Sequence, residues 1–159
     1  MEINIISVGK IKESYFLDGI DEYKKRMGPY CSIKFTQLKD EPAGENISPK
    51  DEEIILNKEG ERILEKIKDE DYVIVLDLSG KTMDSLAFAK KFEGLMVSGI
   101  GKIDFVIGGS LGLSEDVKKR GNFSLSFSKF TFPHKLMKLI LMEQIYRAFR
   151  IINNHPYHK

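Results

Sequence analysis

The strongest constraint on this chain is an alternation in which short apolar runs that read as strands are separated by segments with helical spacing. Residues 2–8 alternate Ile3 and Ile5, with Ile6 and Val8 close by, which predicts a strand. Ser14 to Met27 places Tyr15, Phe16, Ile20, Tyr23 and Met27 at helical spacing and is stopped by Gly28-Pro29. Cys31 to Leu38 sets Cys31, Ile33 and Phe35 against polar neighbours, a second strand. A polar loop at 40–48 leads into Ser48-Pro49-Lys50-Asp51, a helix start with proline in the first turn, and an acidic helix runs to about Lys68. Tyr72 to Asp77 is a short apolar strand ending in the loop Leu78-Ser79-Gly80-Lys81, and a helix from Asp84 or Ser85 reaches about Val97. Ile103 to Ile107 is the next strand and runs into Gly108-Gly109-Ser110-Leu111-Gly112. Phe123 to Ser128 is the last strand, and a final helix spans Pro133 to about Ile152. Such an order predicts the α/β class, a mostly parallel sheet with helices on both faces.

No internal repeat and no Pro/Gly/Ser linker divides the 159 residues, so one domain over 1–159 is expected. A hydrophobic fraction of 42% and a charged fraction of 31% exclude disorder and low complexity. The longest clean apolar stretches are four or five residues, against about 20 for a membrane span, so no membrane contact is expected. The opening MEINIISVGK is strand-like and has no basic start before a long apolar segment, so a cytoplasmic protein is expected. The single cysteine, Cys31, allows neither an internal disulfide nor a cysteine metal cluster.

The net charge of +1 conceals a polarised chain. Residues 39–71 carry six basic and twelve acidic side chains, whereas residues 117–159 carry nine basic side chains against the single acid Glu143. All three histidines, His134, His155 and His158, also lie in that last segment. A solvated helix face would account for this, but so one-signed an end also suits a polyanionic partner.

The last helix adds a second expectation. Twelve of the seventeen residues from Leu136 to Ile152 are apolar, and they do not keep to one stripe. A helix apolar nearly all round is buried on more than one face. One face can pack on the chain's own sheet, and a symmetric homodimer through this helix would cover the other; a central core helix is the alternative.

Among the glycine signals, the stretch 94–102 fails the phosphate-loop pattern and precedes a strand. Gly108 to Gly112 is better placed, at the carboxyl end of an apolar strand where open α/β sheets bind ligands. Its spacing is not that of a dinucleotide fingerprint, and turn and ligand loop remain equal readings. Three loops follow the late strands: LDLSGK at 76–81, IGGSLG at 107–112 and SFSKFTFPHKLM at 126–137. Phe127, Phe130 and Phe132 in the third either tuck into the core or help form a pocket for a flat, largely apolar ligand. His155 and His158, with no cysteine or nearby acid, make a poor metal site, so no metal is expected. The tail from Asn153 to Lys159 reads either as a frayed terminus or, through its histidines, tyrosine and lysine, as an RNA contact.

The blocks LDLSGK, FVIGGSLGLS, LSFSKFTFPHKLM and EQIYRAFRIINNHPYH, with SVGKIK near the start, closely resemble the ribosomal large-subunit methyltransferase H family of the SPOUT superfamily. The resemblance covers essentially the whole chain. It implies a SPOUT-type α/β fold with a C-terminal trefoil knot at about residues 103–150, which no periodicity reveals. It implies a homodimer that moves methyl from S-adenosylmethionine to N3 of a pseudouridine in large-subunit ribosomal RNA, free or in the assembled ribosome. The cofactor residues it implies are Leu76, Gly108, and Phe127, Ser128, Lys129, Phe130, Thr131 and Phe132. Lys138 stands where arginine is common in relatives, and the two differ as phosphate clamps.

The tail is implied to lie near the partner's cofactor pocket. Since the N3 proton must leave, His158 and His155 become candidate bases, with Tyr157 positioning the target base edge. Arg147, Arg150 and His134 are the candidate RNA contacts, although the arginines could instead pair with acids such as Glu143. His134 is the next candidate base. Two other readings stay open: a noncatalytic ribosome- or RNA-binding knot module, and a nucleotide-dependent enzyme using the Gly108 loop.

Overall fold

A computed structural model describes residues 1–158. Five strands, β1 (Glu2–Val8), β2 (Ser32–Leu38), β3 (Tyr72–Thr82), β4 (Lys102–Ile107) and β5 (Phe123–Ser126), form one sheet in the order β2-β1-β4-β3-β5, and every pairing is parallel. Five helices alternate with them: α1 (Ser14–Met27), α2 (Pro49–Leu64), α3 (Ser85–Val97), α4 (Glu115–Arg120) and α5 (His134–Ile152). The expected α/β class and parallel sheet are therefore present.

The period of the strands divides the core. Successive strand side chains point to opposite faces. Ile3 and Ile5 of β1, with Ile103 and Phe105 of β4, pack with Ile20, Phe92, Leu141 and Phe149 under α1, α3 and α5. Ile6 and Val8, with Val73, Val75 and Val106, pack with Ile63 and Val117 under α2 and α4. Because β1, β4 and most of β3 are covered on both sides, their sequences are apolar almost throughout.

Local signals account for the helix starts. Ser48 accepts a hydrogen bond from the Asp51 N–H, with Pro49 at the first helical position, and Asp84 accepts one from Ala87 in the same way. Ser114 caps α4 through the Val117 N–H. That six-residue helix was not expected, being too short to display a helical period. The acidic helix ends at Leu64, earlier than about Lys68, and β5 stops at Ser126, before Ser128. β3, by contrast, runs on through the polar Leu78–Lys81 stretch: after an irregularity between Leu76 and Lys81, it pairs again with Leu125 and Ser126. Gly80 permits this, since a Cβ there would lie 2.8 Å from the backbone of Leu125.

The last helix is buried as a core helix. Ile145 is fully buried and Phe149 nearly so, with Phe149 edge-on to Phe92 and stacked on Tyr30. These two side chains belong to the chain's own core and are not available to a partner. The partly exposed side of α5 is a different stripe, Leu136, Ile140, Gln144, Arg147 and Ile151. Ile145→Glu should therefore unfold the chain itself, costing about 4 kcal/mol or more from a carboxylate buried among apolar groups. Thermal melting by circular dichroism checks this; a stable, folded monomer of that variant would contradict the placement.

Candidate functional site

The carboxyl ends of β3, β4 and β5 open into a pocket of about 790 Å³. Its wall is assembled from the three loop segments singled out in the sequence, together with Leu56 of α2, Glu115 and Lys118 of α4 and the first turn of α5. Leu76, Gly108, Phe127, Ser128, Phe130, Thr131 and Phe132 all line it. Lys129 does not; its side chain is exposed outside the pocket wall.

The glycine loop is shaped by its own backbone. The Gly112 N–H donates to the Gly109 carbonyl at 3.1 Å, and Gly112 adopts φ +91°, a conformation that glycine takes without strain. A Cβ on Gly108 would sit 2.2 Å from the Gly112 carbonyl oxygen. Gly108 is thus required by the closing of the loop on itself, and a side chain there would collide with backbone before it met any ligand. Behind the loop lies Glu59, a buried residue of α2 that sequence reading missed among the many surface acids of that helix. Its Oε1 accepts from the Glu41 N–H at 2.9 Å, and a Cβ on Gly109 would come within 3.0 Å of its Oε2. Burial pushes the Glu59 carboxyl above its ordinary pKa.

The third loop turns on its serines. Ser126 Oγ donates to the Ser128 carbonyl at 3.0 Å, and Ser128 Oγ accepts from the Phe130 N–H at 3.0 Å. This turn leaves Phe130 77% exposed while Phe127 packs against the core, so the two phenylalanines have different surroundings.

His134, expected at RNA, lines the pocket at the first position of α5, with its Nε2 against Gly9. Burial, reinforced by Lys135 and Lys138, pushes its pKa below the ordinary value, whereas Asp40 and Glu13 act weakly the other way. A neutral imidazole follows at physiological pH, able to accept a proton. One turn further on, Lys138 is only 2% exposed, and burial pushes its pKa down to about 8. A side chain so enclosed is no surface phosphate clamp.

The tail candidates lie elsewhere: His155, Tyr157 and His158 do not line the pocket of their own chain. The Tyr157 ring packs edge-on against Tyr146 with centroids 4.9 Å apart, and its hydroxyl donates to Glu143 Oε1 at 3.2 Å. Burial, with Tyr23 and Glu143 beside it, holds the phenol well above its ordinary pKa, so Tyr157 is a neutral hydrogen-bonding group and not a base. His158 Nδ1 is 3.4 Å from an Arg147 nitrogen, and His155 Nδ1 is 3.0 Å from the Tyr30 hydroxyl.

Arg147 binds Glu143 through Nε at 3.0 Å and a terminal nitrogen at 2.6 Å, and its guanidinium lies over the Tyr157 ring. The ion-pair reading therefore holds for Arg147. Arg150 has no acid partner among the described residues; it reaches the Tyr30 hydroxyl at 3.4 Å, and its buried Nε makes no hydrogen bond to any of them. Among the described residues, no group of three His, Cys, Asp or Glu side chains is arranged to hold a metal ion. No helix among the described residues is long and apolar enough to cross a membrane.

A family model described as "Predicted SPOUT methyltransferase" matches residues 1–158. A protein of Alkaliphilus oremlandii named ribosomal RNA large subunit methyltransferase H is 57% identical over 159 residues, all of both chains. A Clostridium botulinum (strain Eklund 17B) protein of the same name is also 57% identical, again over all of both chains. Among solved structures, a methylase family protein of Haemophilus influenzae superposes with TM-score 0.53 at 17% identity, covering 99% of this chain and 70% of that one. A Legionella pneumophila protein, described as a methyltransferase and solved with bound cofactor SAM, gives TM-score 0.51 at 10% identity, covering 94% and 66%.

Proposed function

Because this chain belongs to the SPOUT methyltransferase family, we propose that it transfers a methyl group from S-adenosylmethionine to N3 of a pseudouridine in large-subunit ribosomal RNA. One observation carries the reading: the three loops that mark the family resemblance meet at the strand ends as the walls of a single pocket. Full-length relatives named for ribosomal RNA methylation supply the substrate class.

The pocket's chemistry fits the cofactor. Leu76, Ile107, Leu125, Phe132 and Met137 offer apolar walls for a flat adenine, and the backbone from Gly108 to Gly112 brings peptide groups close enough to hydrogen-bond its edge. Charged side chains stand at one end of the same pocket. When bound, S-adenosylmethionine supplies an electrophilic methyl on a sulfonium, so the chain's task is to hold N3 in line and to remove its proton.

The site is completed by a second copy of the chain. The half-exposed stripe of α5, apolar at Leu136, Ile140 and Ile151, is the surface through which a two-fold pair would form. Such a pair delivers the tail of one protomer to the pocket of the other. There His158, with His155 near it, would take the N3 proton, and Tyr157 would position the base edge, its hydroxyl oxygen free to accept while its proton goes to Glu143. His134, already at the pocket wall, positions the target nucleotide, and Arg150 and the exposed Lys129 reach phosphate. The trefoil threading of residues 103–150 belongs to the same proposal, as does a cytoplasmic setting. Support for the threading comes from family membership alone.

The test is methylation of free ribosomal RNA, large subunits and assembled ribosomes, each from cells lacking this protein, using the purified chain and S-adenosylmethionine. A single new methyl on a pseudouridine, located by mass mapping of the RNA, is the expected result. Unmethylated RNA after incubation with correctly folded, cofactor-binding protein would overturn the reading in favour of a noncatalytic RNA-binding module.

A further inference from the structure

The charged end of the pocket is made of three side chains, Asp77 where β3 becomes irregular and Glu115 and Lys118 on α4; they are the charged groups in a wall otherwise built from apolar, hydroxyl, backbone and imidazole groups. Asp77 is fixed: its Oδ2 accepts from Ser79 Oγ at 2.6 Å and its Oδ1 from the Ser79 N–H at 3.4 Å. Burial raises the Asp77 pKa, but the bonds from Ser79 and the nearby Lys118 outweigh it, so the carboxylate stays ionised. Lys118 is held loosely. Its Nζ stands 3.6 Å from Asp77 Oδ2 and 3.3 Å from Glu115 Oε1. An ammonium has three donors, and a separation of 3.6 Å is too long for a hydrogen bond, so Lys118 retains donor capacity toward the pocket. Glu115 is largely exposed and completes the pair from the solvent side.

We propose that this corner of mixed sign binds the zwitterionic amino-acid end of S-adenosylmethionine, with Lys118 donating to its carboxylate and Asp77 accepting from its ammonium. The inference rests on the methyltransferase reading above and adds the orientation of the cofactor. A zwitterion needs a cation and an anion side by side, which the corner supplies within 4 Å. Adenine and ribose have no use for a lysine, and their place is the apolar and backbone-lined remainder of the pocket. Once Lys118 is drawn to a carboxylate, its two loose pairs are exchanged for one charge-assisted hydrogen bond in a partly desolvated site.

Calorimetric titration of the full-length chain separates this from a structural ion pair. The probes are S-adenosylmethionine, S-adenosylhomocysteine and 5′-methylthioadenosine, the last having adenine, ribose and sulfur but no amino-acid end. Lys118→Met and Asp77→Asn should each weaken the first two by about tenfold or more, with 5′-methylthioadenosine unchanged. Lys118→Arg should restore most of the loss. Equal weakening of all three probes would overturn the proposal in favour of a role in holding β3 to α4, and so would unchanged affinity for S-adenosylhomocysteine. Failure of the unaltered chain to bind any of the three would instead remove the methyltransferase reading itself, so the two failures are distinguishable.

Discussion

A Gly108→Val variant should remain folded and lose S-adenosylmethionine binding by about a hundredfold or more. The β-carbon alone would stand 2.2 Å from the Gly112 carbonyl oxygen, 2.5 Å from its carbonyl carbon and 3.1 Å from its Cα. None of these backbone atoms can rotate aside as a flexible side chain would. The loop must open, and opening moves the peptide groups of Gly109 to Gly112 away from the pocket they line. The main cores lie below the loop, under α1, α3 and α5 on one face and α2 and α4 on the other, so the fold should persist. Calorimetry for binding and circular dichroism for folding check the two halves. Unchanged affinity in a folded variant would place the cofactor elsewhere.

Deleting Tyr157 to Lys159 should leave cofactor affinity nearly intact while methyl transfer falls by roughly a hundredfold to ten-thousandfold, the range associated with lost acid–base help. The separation is expected because neither Tyr157 nor His158 lines the pocket of its own chain. Mixing the tail-deleted chain with Gly108→Val then tests how the site is shared. Each protomer alone lacks one half, but a mixed dimer pairs an intact pocket with an intact tail, and about a quarter of full activity should return if protomers exchange at random. No recovery, with mixed dimers demonstrated by mass, would mean that pocket and tail serve within one chain. Normal methylation by the deletion alone would make the tail a mere terminus, with His134 then the imidazole that takes the proton.

Where the Lys118 corner and the Gly108 loop are concerned, one residue's place in the pocket wall could be read ahead of the structure and the other's could not. Gly108 stands at the end of an apolar strand, which is where parallel sheets hold ligands, so a place at a pocket wall was one of two readings its position allowed. The physical reason for glycine there was not legible, because the colliding atom belongs to Gly112 and the collision exists only once the loop closes. Lys118 sits in a short helix with no readable period, among neighbouring charges that look like any solvated face. Only the return of α4 beside β3 gives it an acid partner 41 residues earlier in the chain, at Asp77.

The class, the order of the strands and of the four longer helices, and the loops that line the pocket were all legible along the chain. These follow from local and periodic causes: β-branched and aromatic runs, helical spacing, capping residues and glycine at strand ends. Tertiary structure alone decided which face of α5 is core and which is open, because an apolar all-round helix carries no internal sign of which side its own sheet will cover. It likewise decided that β3 continues through Leu78–Lys81, since that extension exists only through pairing with β5. The same holds for the charged side chains near the end of the chain. The spacing of Glu143 and Arg147 already offered an ion pair one helical turn apart, but only folding lays the Tyr157 ring over the guanidinium. Local propensity is written along the chain, whereas burial, charge pairing and pKa depend on atoms that folding brings in from distant positions.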